Sequence, residues 1–230
     1  NTSGTINANS INTLSGSAAD LITAYDSGGI NGLGNEAVNV NSGTASTSQA
    51  NALAADTSAV VTATLSDGDM ATLAGLSETG NAYTITITDT SVAASALNAL
   101  DGKTTVAINA SNINTLTGAA ADLNTAYTAN TAGHITGLNN EAVTLNDTTL
   151  AVSVLNDLDG NTSGTINANS INTLSGSAAD LINAYDSGGI SGLGNEAVNV
   201  NSGTASTSQA NALAADTSGV VTATISDGDM

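Results

Sequence analysis

The side chains that could do chemistry in this chain are carboxylates, amides and hydroxyls, with almost nothing else beside them. There is no Cys, so thiolate metal sites, disulfides and cysteine nucleophiles are all excluded. The one imidazole, His134, sits in the stretch Thr128 to His134, where related stretches carry Gly28-Gly29 and Gly188-Gly189. No Ser or Thr is marked out as a nucleophile beside it, so His134 is expected to be an exposed loop residue and the chain is not expected to be an enzyme.

Carboxylates offer a second chemistry. Asp67-Gly68-Asp69, its copy Asp227-Gly228-Asp229, and Asp157-Leu158-Asp159-Gly160-Asn161 place hard oxygen ligands around turns. Calcium takes six to eight such oxygens, so Asp67, Asp69, Asp157, Asp159, Asp227 and Asp229 are candidate ligands and calcium is a possible cofactor. The competing reading is that the same residues close turns and cap helices, since Asp-Gly is a common turn pair.

Amides and hydroxyls form the third group. One series reads Asn7, Asn39, Thr62, Thr86, Asn109, Thr144, Asn167, Asn199 and Thr222, and a second, two places on, reads Asn9, Asn41, Thr64, Thr88, Ser111, Asn146, Asn169, Asn201 and Thr224. On stacked strands about 4.8 Å apart, these would make an uncharged grid. Such a grid could be hydrogen-bonded ladders, a docking face for another copy, or a glycan- or ice-binding face.

The elements that would position these residues follow from a repeated pattern. Apolar residues at places zero and two alternate with polar ones from Ile6, Val38, Val61, Ile85, Ile108, Val143, Ile166, Val198 and Val221, as in half-buried strands. Fifteen residues after each of the first eight openings stands Leu: Leu21, Leu53, Leu76, Leu100, Leu123, Leu158, Leu181 and Leu213. Three residues before each Leu lies an Ala or another Leu, and Val92, Ala96, Leu97 and Leu100 share one helical face. Ser17 with Asp20, and Ser46 with Gln49, fit helix-start caps; Asp101-Gly102 and Asp159-Gly160 fit helix stops.

The predicted fold is therefore an α/β solenoid with one parallel strand and one short helix per coil of 23–24 residues, longer coils of 32–35 carrying surface loops. Those loops are expected at Asp26-Ser27-Gly28-Gly29, at Thr128 to His134, and in the Gly-Leu-Gly-Asn-Glu or Gly-Leu-Asn-Asn-Glu that follows. An all-β, right-handed β-helix is the alternative. Residues 1–70 recur as 161–230 with four differences, Thr23/Asn183, Asn31/Ser191, Ala59/Gly219 and Leu65/Ile225. The pattern thus has a 160-residue period inside one continuous 1–230 segment, expected to be an internal piece of a longer chain.

Composition bounds the partners. A net charge of −19 with one basic residue, Lys103, cannot displace counterions from phosphates, so nucleic acid and anionic membrane surfaces are excluded. With 40% apolar residues and only 9% charged, the chain lacks the signature of disorder. No apolar run approaches the ~18 residues of a spanning helix, so membrane insertion is not expected.

The strings Ser-Val-Ala-Ala-Ser-Ala-Leu-Asn-Ala-Leu-Asp-Gly (91–102), Gly-Leu-Gly-Asn-Glu-Ala-Val (32–38) and Ile-Asn-Thr-Leu-Ser-Gly-Ser-Ala-Ala-Asp-Leu (11–21) resemble tandem repeats in giant surface proteins of marine cyanobacteria. The resemblance implies an extracellular, cell-surface location and a structural role in a filament, surface layer, stalk or spacer, or in adhesion, with self-association between repeats. Leu97-x-x-Leu100 before Ile108-x-Ala110 is also similar in layout to leucine-rich repeats, although the asparagine ladder position is missing.

Overall fold

The computed structural model describes residues 4–228, in which strands and helices alternate. In chain order these are β1 (Ile6–Asn7), β2 (Thr13–Gly16), α1 (Ala18–Tyr25), β3 (Ile30–Asn31), β4 (Ala37–Val40), α2 (Thr47–Asp56), β5 (Val61–Thr64), α3 (Met70–Leu73) and β6 (Ala82–Thr84). Then come β7 (Ser91–Ala93), α4 (Ala94–Asp101), β8 (Ile108–Asn109), β9 (Thr115–Gly118), α5 (Ala120–Thr131), β10 (Ile135–Thr136), β11 (Ala142–Leu145), β12 (Thr149–Ala151) and α6 (Val152–Asn161). The last are β13 (Ile166–Asn167), β14 (Thr173–Gly176), α7 (Ala178–Asp186), β15 (Ile190–Ser191), β16 (Ala197–Val200), α8 (Thr207–Asp216) and β17 (Val221–Thr222). The fold is α/β, and its Ala- and Leu-rich segments are helices rather than the further strands of an all-β helix.

The chain divides into two compact units that interleave in sequence. The first takes residues up to Asp89, Ala96–Asn112 and Asn130–Gly137. It holds the sheet β2-β4-β5-β6 and the strand pairs β1-β3 and β8-β10. The second takes Thr90–Ser95, Ile113–Ala129 and the residues from Leu138 onward. It holds the five-stranded sheet β15-β13-β11-β9-β7 and the four-stranded sheet β12-β14-β16-β17. Among the described residues every strand pairing is parallel, and no sheet closes on itself.

Register explains the long units. Ile6 pairs with Ile30 and Leu14 with Val38, the same step along the chain, and Val38 pairs with Val61 after a step almost as long. The stretch from Ile6 to Val38 thus holds a strand-to-strand step of ordinary length plus a further strand, with the expected turn at Asp26-Ser27-Gly28-Gly29 between α1 and β3. The same holds from Ile108 to Val143, where Ile108 pairs with Ile135. Residues Thr128–Thr131, expected in a loop, extend α5. Along the chain a helix is therefore preceded by one, two or three strand segments.

The helical column is buried as its spacing requires: Leu53, Leu123, Leu158, Leu181 and Leu213 are fully enclosed, and Leu21, Leu76 and Leu100 nearly so. Ser46 and Gln49 form a reciprocal capping box, and Ser17 accepts from the Asp20 N–H. Two local expectations shift. Asp159-Gly160 lies inside α6, which runs on to Asn161, so the stop falls one place later. Ile85-Thr86-Ile87-Thr88 keeps its alternation, with both Ile buried and both Thr exposed, but the ladder strand is the preceding Ala82–Thr84. The cause is the step to its neighbour: Ala63 pairs with Tyr83, the shortest step in that sheet, and Thr86 makes a single bridge to Asn109.

Candidate functional site

The most elaborate polar construction surrounds a buried acid. Glu36, Glu141 and Glu196 are each 1% exposed, and an unpaired buried carboxylate would cost several kcal/mol. Each is enclosed in the same way. The Glu36 carboxylate accepts the N–H of Gly34 (2.9 and 3.0 Å), the N–H of Asn35 (3.2 Å) and the hydroxyl of Tyr25, the last residue of α1. The backbone carbonyl of Glu36 accepts the Thr57 hydroxyl at 2.6 Å, from the residue that ends α2.

The copy one period later reproduces this with Gly194, Asn195, Tyr185 and Thr217 around Glu196. A third version uses Tyr127 (3.3 Å), the Asn139 N–H (3.0 Å) and Thr162 around Glu141. Each clasp ties the C-terminal half of one helix, the start of the next long strand and the end of the following helix. In every case the Thr stands 21 places after the Glu.

The loop before the acid needs glycine. Gly32, in Gly-Leu-Gly-Asn-Glu, has φ 92°, and a Cβ there would fall 1.7 Å from Asn9 Oδ1 and 2.9 Å from the Asn9 N. Electrostatics follow from enclosure. Burial pushes Glu36 up, but the Tyr25 hydroxyl and the Gly34 and Asn35 N–H groups outweigh it and hold the acid below its ordinary value. Burial, then the facing carboxylate, pushes Tyr25 and Tyr185 well above the ordinary tyrosine range. Tyr127 is pushed the same way, by burial first and the Glu141 charge. Tyr83, the fourth tyrosine, is pushed up to about 12 by burial and the charge of Glu78.

The sequence does not announce these clasps: Gly-Leu-Gly-Asn-Glu and Gly-Leu-Asn-Asn-Glu read as surface loops, yet their Glu is buried. The available signal is composition. The chain has four Glu and four Tyr, and three of the Glu stand in this one string, preceded by Tyr25, Tyr127 and Tyr185 on the helix before.

The aspartates singled out as calcium ligands are engaged elsewhere. Asp67 accepts the Thr47 N–H (2.6 Å) across to the preceding coil, and Asp227 accepts the Thr207 N–H (2.6 Å). Asp69 caps α3 by accepting the Thr72 N–H (2.9 Å). Hydrogen bonds from Thr72 hold Asp69 below the usual carboxylate range, and hydrogen bonds from Thr207 do the same for Asp227. Asp159 accepts from the Ser187 hydroxyl (2.7 Å), and Asp157 lies exposed on α6. Asp229 falls outside the described residues. Among the described residues no group of three or more His, Cys, Asp or Glu side chains is gathered as a metal site. Gly68 has a packing reason: its Cβ would meet Thr88 Cγ2 at 2.6 Å and the Thr86 carbonyl at 2.7 Å.

The amide and hydroxyl series does not form one grid. Asn7 pairs with Asn31 in the β1-β3 pair, whereas Asn39 lies between Ser15 and Thr62 in the four-stranded sheet of the first unit. Thr64 sits beside Thr84, Thr86 bridges Asn109, and Thr144 lies between Thr117 and Asn167 in the second unit. Asn9, Asn41, Thr88 and Asn146 lie just beyond strand ends, where their N–H groups bond to Asn7 Oδ1 and to the carbonyls of Gly16, Gly68 and Gly118. All of these side chains face solvent, but on separate short sheets.

His134 is exposed, with Nδ1 3.9 Å from Asp101 Oδ2, beside a cleft of about 310 Å³ within the first unit. The Thr104 and Thr105 hydroxyls in that cleft donate to the carbonyls of Tyr83 (2.7 Å) and Asn81 (3.2 Å). No helix among the described residues is long and apolar enough to cross a membrane. Comparison with family models, curated proteins and solved structures returns no match.

Proposed function

We propose that the chain is a segment of a solenoid that serves as a non-catalytic structural spacer in a secreted or cell-surface protein, built by repetition and extended by adding copies. The supporting observation is the register. Within each unit strands pair in parallel at similar steps along the chain, Leu14 with Val38, Ala63 with Tyr83, Leu116 with Val143 and Leu174 with Val198, so each strand lies directly against that of the next coil. Stability of that kind sums over neighbours and places no limit on length. The strong acidity fits a surface bathed in salt, where the Debye length falls to ~3 Å near 1 M and self-repulsion is screened.

Length is the test. One full period contains six helices, α1 to α6, and so six coils. At about 4.8 Å per strand spacing, each added period lengthens the particle by about 29 Å. Small-angle scattering on chains carrying one, two and three added periods should give a maximum dimension that rises linearly by that step at constant cross-section. A dimension growing as the cube root of mass would sink the reading.

A further inference from the structure

Asp101, in the first unit, lacks the hydrogen-bond partner that its counterpart in the second unit has. The register sets the counterparts. The Ile108 N–H donates to the His134 carbonyl at 2.8 Å, and the Ile166 N–H donates to the Gly189 carbonyl at 2.8 Å. Asp101 and Asp159 stand equally far before those two Ile residues, so Asp101 answers to Asp159 and His134 to Gly189. In the second unit this junction is filled. Asp159 accepts the Ser187 hydroxyl at 2.7 Å, and a Cβ on Gly189 would fall 2.3 Å from Asp159 Oδ1.

In the first unit the same junction holds the cleft of about 310 Å³, a size within the range of ligand pockets. The Asp101 side chain is only 21% exposed, and no hydrogen-bond donor among the described residues reaches its carboxylate. Its ion-pair contact is His134 Nδ1, 3.9 Å away. A carboxylate so far covered carries a desolvation cost that a cation beside it offsets. The remaining wall adds no positive charge. Thr104 Oγ1 is already spent, accepting the N–H groups of Tyr83 (3.0 Å) and Val106 (3.1 Å). Thr105 Oγ1 donates to the Asn81 carbonyl and keeps its lone pairs. Val106 and Ala107 give a small apolar surface.

The 3.9 Å spacing selects among cations. A nitrogen about 2.8 Å from both Asp101 Oδ2 and His134 Nδ1 sees them about 88° apart, which two N–H bonds of one ammonium can span. A metal ion about 2.1 Å from both would see them about 136° apart, well away from tetrahedral or octahedral geometry. We infer that this cleft binds a primary alkylammonium group, its nitrogen donating to Asp101 Oδ2 and to Nδ1 of a neutral His134, its stem lying along Val106 and Ala107. The group comes from a small free amine or from a lysine side chain of another protein. The chain's own single Lys103 is engaged, its Nζ donating to the Ser77 carbonyl at 3.0 Å.

A charge of −19 attracts every cation, so the test has to separate the cleft from the general field. Proton–nitrogen NMR of the full chain, titrated with n-butylammonium chloride, should show saturable shifts confined to residues 101–107 and 133–134. Half-saturation is expected on the order of 1 mM for so small a ligand. Tetramethylammonium carries the same charge without an N–H and should leave those shifts unmoved. Asp101→Asn and His134→Ala should each weaken binding by about tenfold or more, whereas Asp159→Asn should leave it unchanged. Nα-acetyl-lysine amide identifies the source: binding equal to that of n-butylammonium assigns a partner's lysine, and no binding assigns a free amine. Shifts spread along the acidic surface, an equal response to tetramethylammonium, or full affinity in Asp101→Asn would overturn the inference. The tetramethylammonium comparison uses the wild-type chain, so it decides even where a variant fails to fold.

Discussion

Tyr25→Phe tests the clasp with the least disturbance, since it removes one hydroxyl and keeps the ring. In the wild type the Tyr25 hydroxyl donates to a Glu36 carboxylate that is 1% exposed. A hydrogen bond to a charged group contributes about 1.5–3 kcal/mol, and no water replaces the lost donor at that burial. At about 2–4 °C per kcal/mol for a chain of this size, the melting midpoint should fall by about 3–12 °C. The acid limb should move as well. Glu36 is held below its ordinary value, so its contribution is fully present above the unfolded value of 4.5 and is lost as pH falls through the lower folded value. Without the Tyr25 donor, burial still pushes the acid up and less opposes it, so acid unfolding should begin at a higher pH. Circular dichroism against temperature at about pH 7, and against pH at about 25 °C, reads both effects. A cycle with Glu36→Gln should return a coupling of about 1–3 kcal/mol. A midpoint within about 1 °C of wild type together with an unmoved acid limb would refute the clasp as a stabilising element.

At high pH the tyrosines should act in concert. All four are pushed above the ordinary value of 10.0, so the unfolded chain releases its phenolic protons first and stability falls as pH rises beyond about 10, by up to ~1.4 kcal/mol per pH unit per tyrosine; folded-state phenolate absorbance growing in near pH 10 would contradict this. Gly32→Ala should destabilise by about 1–3 kcal/mol in urea titrations, because it forces a strained φ and a clash with Asn9, whereas Gly28→Ala, with open space at its Cβ, should be nearly silent. Leu155→Ala should cost about 2–5 kcal/mol and Ile6→Ala less than about 1 kcal/mol, since the first leaves a cavity at a fully buried place and the second trims a half-exposed edge. Chelator should shift the melt by less than about 1 °C, because Asp67, Asp69 and Asp227 already accept backbone N–H groups; a larger fall would revive calcium at those turns.

Much of this fold is legible in local pattern. The Leu column and the Ser-capped helix starts depend on residues three, four or fifteen places apart, and those relations lie within one coil. Pairing between coils is less legible, because strands of two to four residues carry too little pattern to fix their partners. Ile6 and Val38 look equivalent in isolation, yet Ile6 pairs with Ile30, and only the shared step that takes Leu14 to Val38 reveals it. The Asn/Thr grid fails for the same reason: its places align by sequence similarity, while the ladder aligns by coil length. The clasps escape a sequence reading because Tyr25, Glu36 and Thr57 each look ordinary alone, and their meeting requires turns whose course no short window shows.

The clasp also bears on how such a chain would carry load. On the spacer reading proposed above, ladder hydrogen bonds would join one coil to the next, so a pull that separates coils would open them one after another, each at modest force. Tyr185, Glu196 and Thr217 come from the end of α7, the start of β16 and the end of α8, and their bonds meet at a residue closed off from water. A tear that reaches them has to break several bonds together, one of them charge-assisted. Clasps placed at Glu36, Glu141 and Glu196 would then act as rip-stops, confining damage to the coils between them and leaving the rest able to close again once the tension is released.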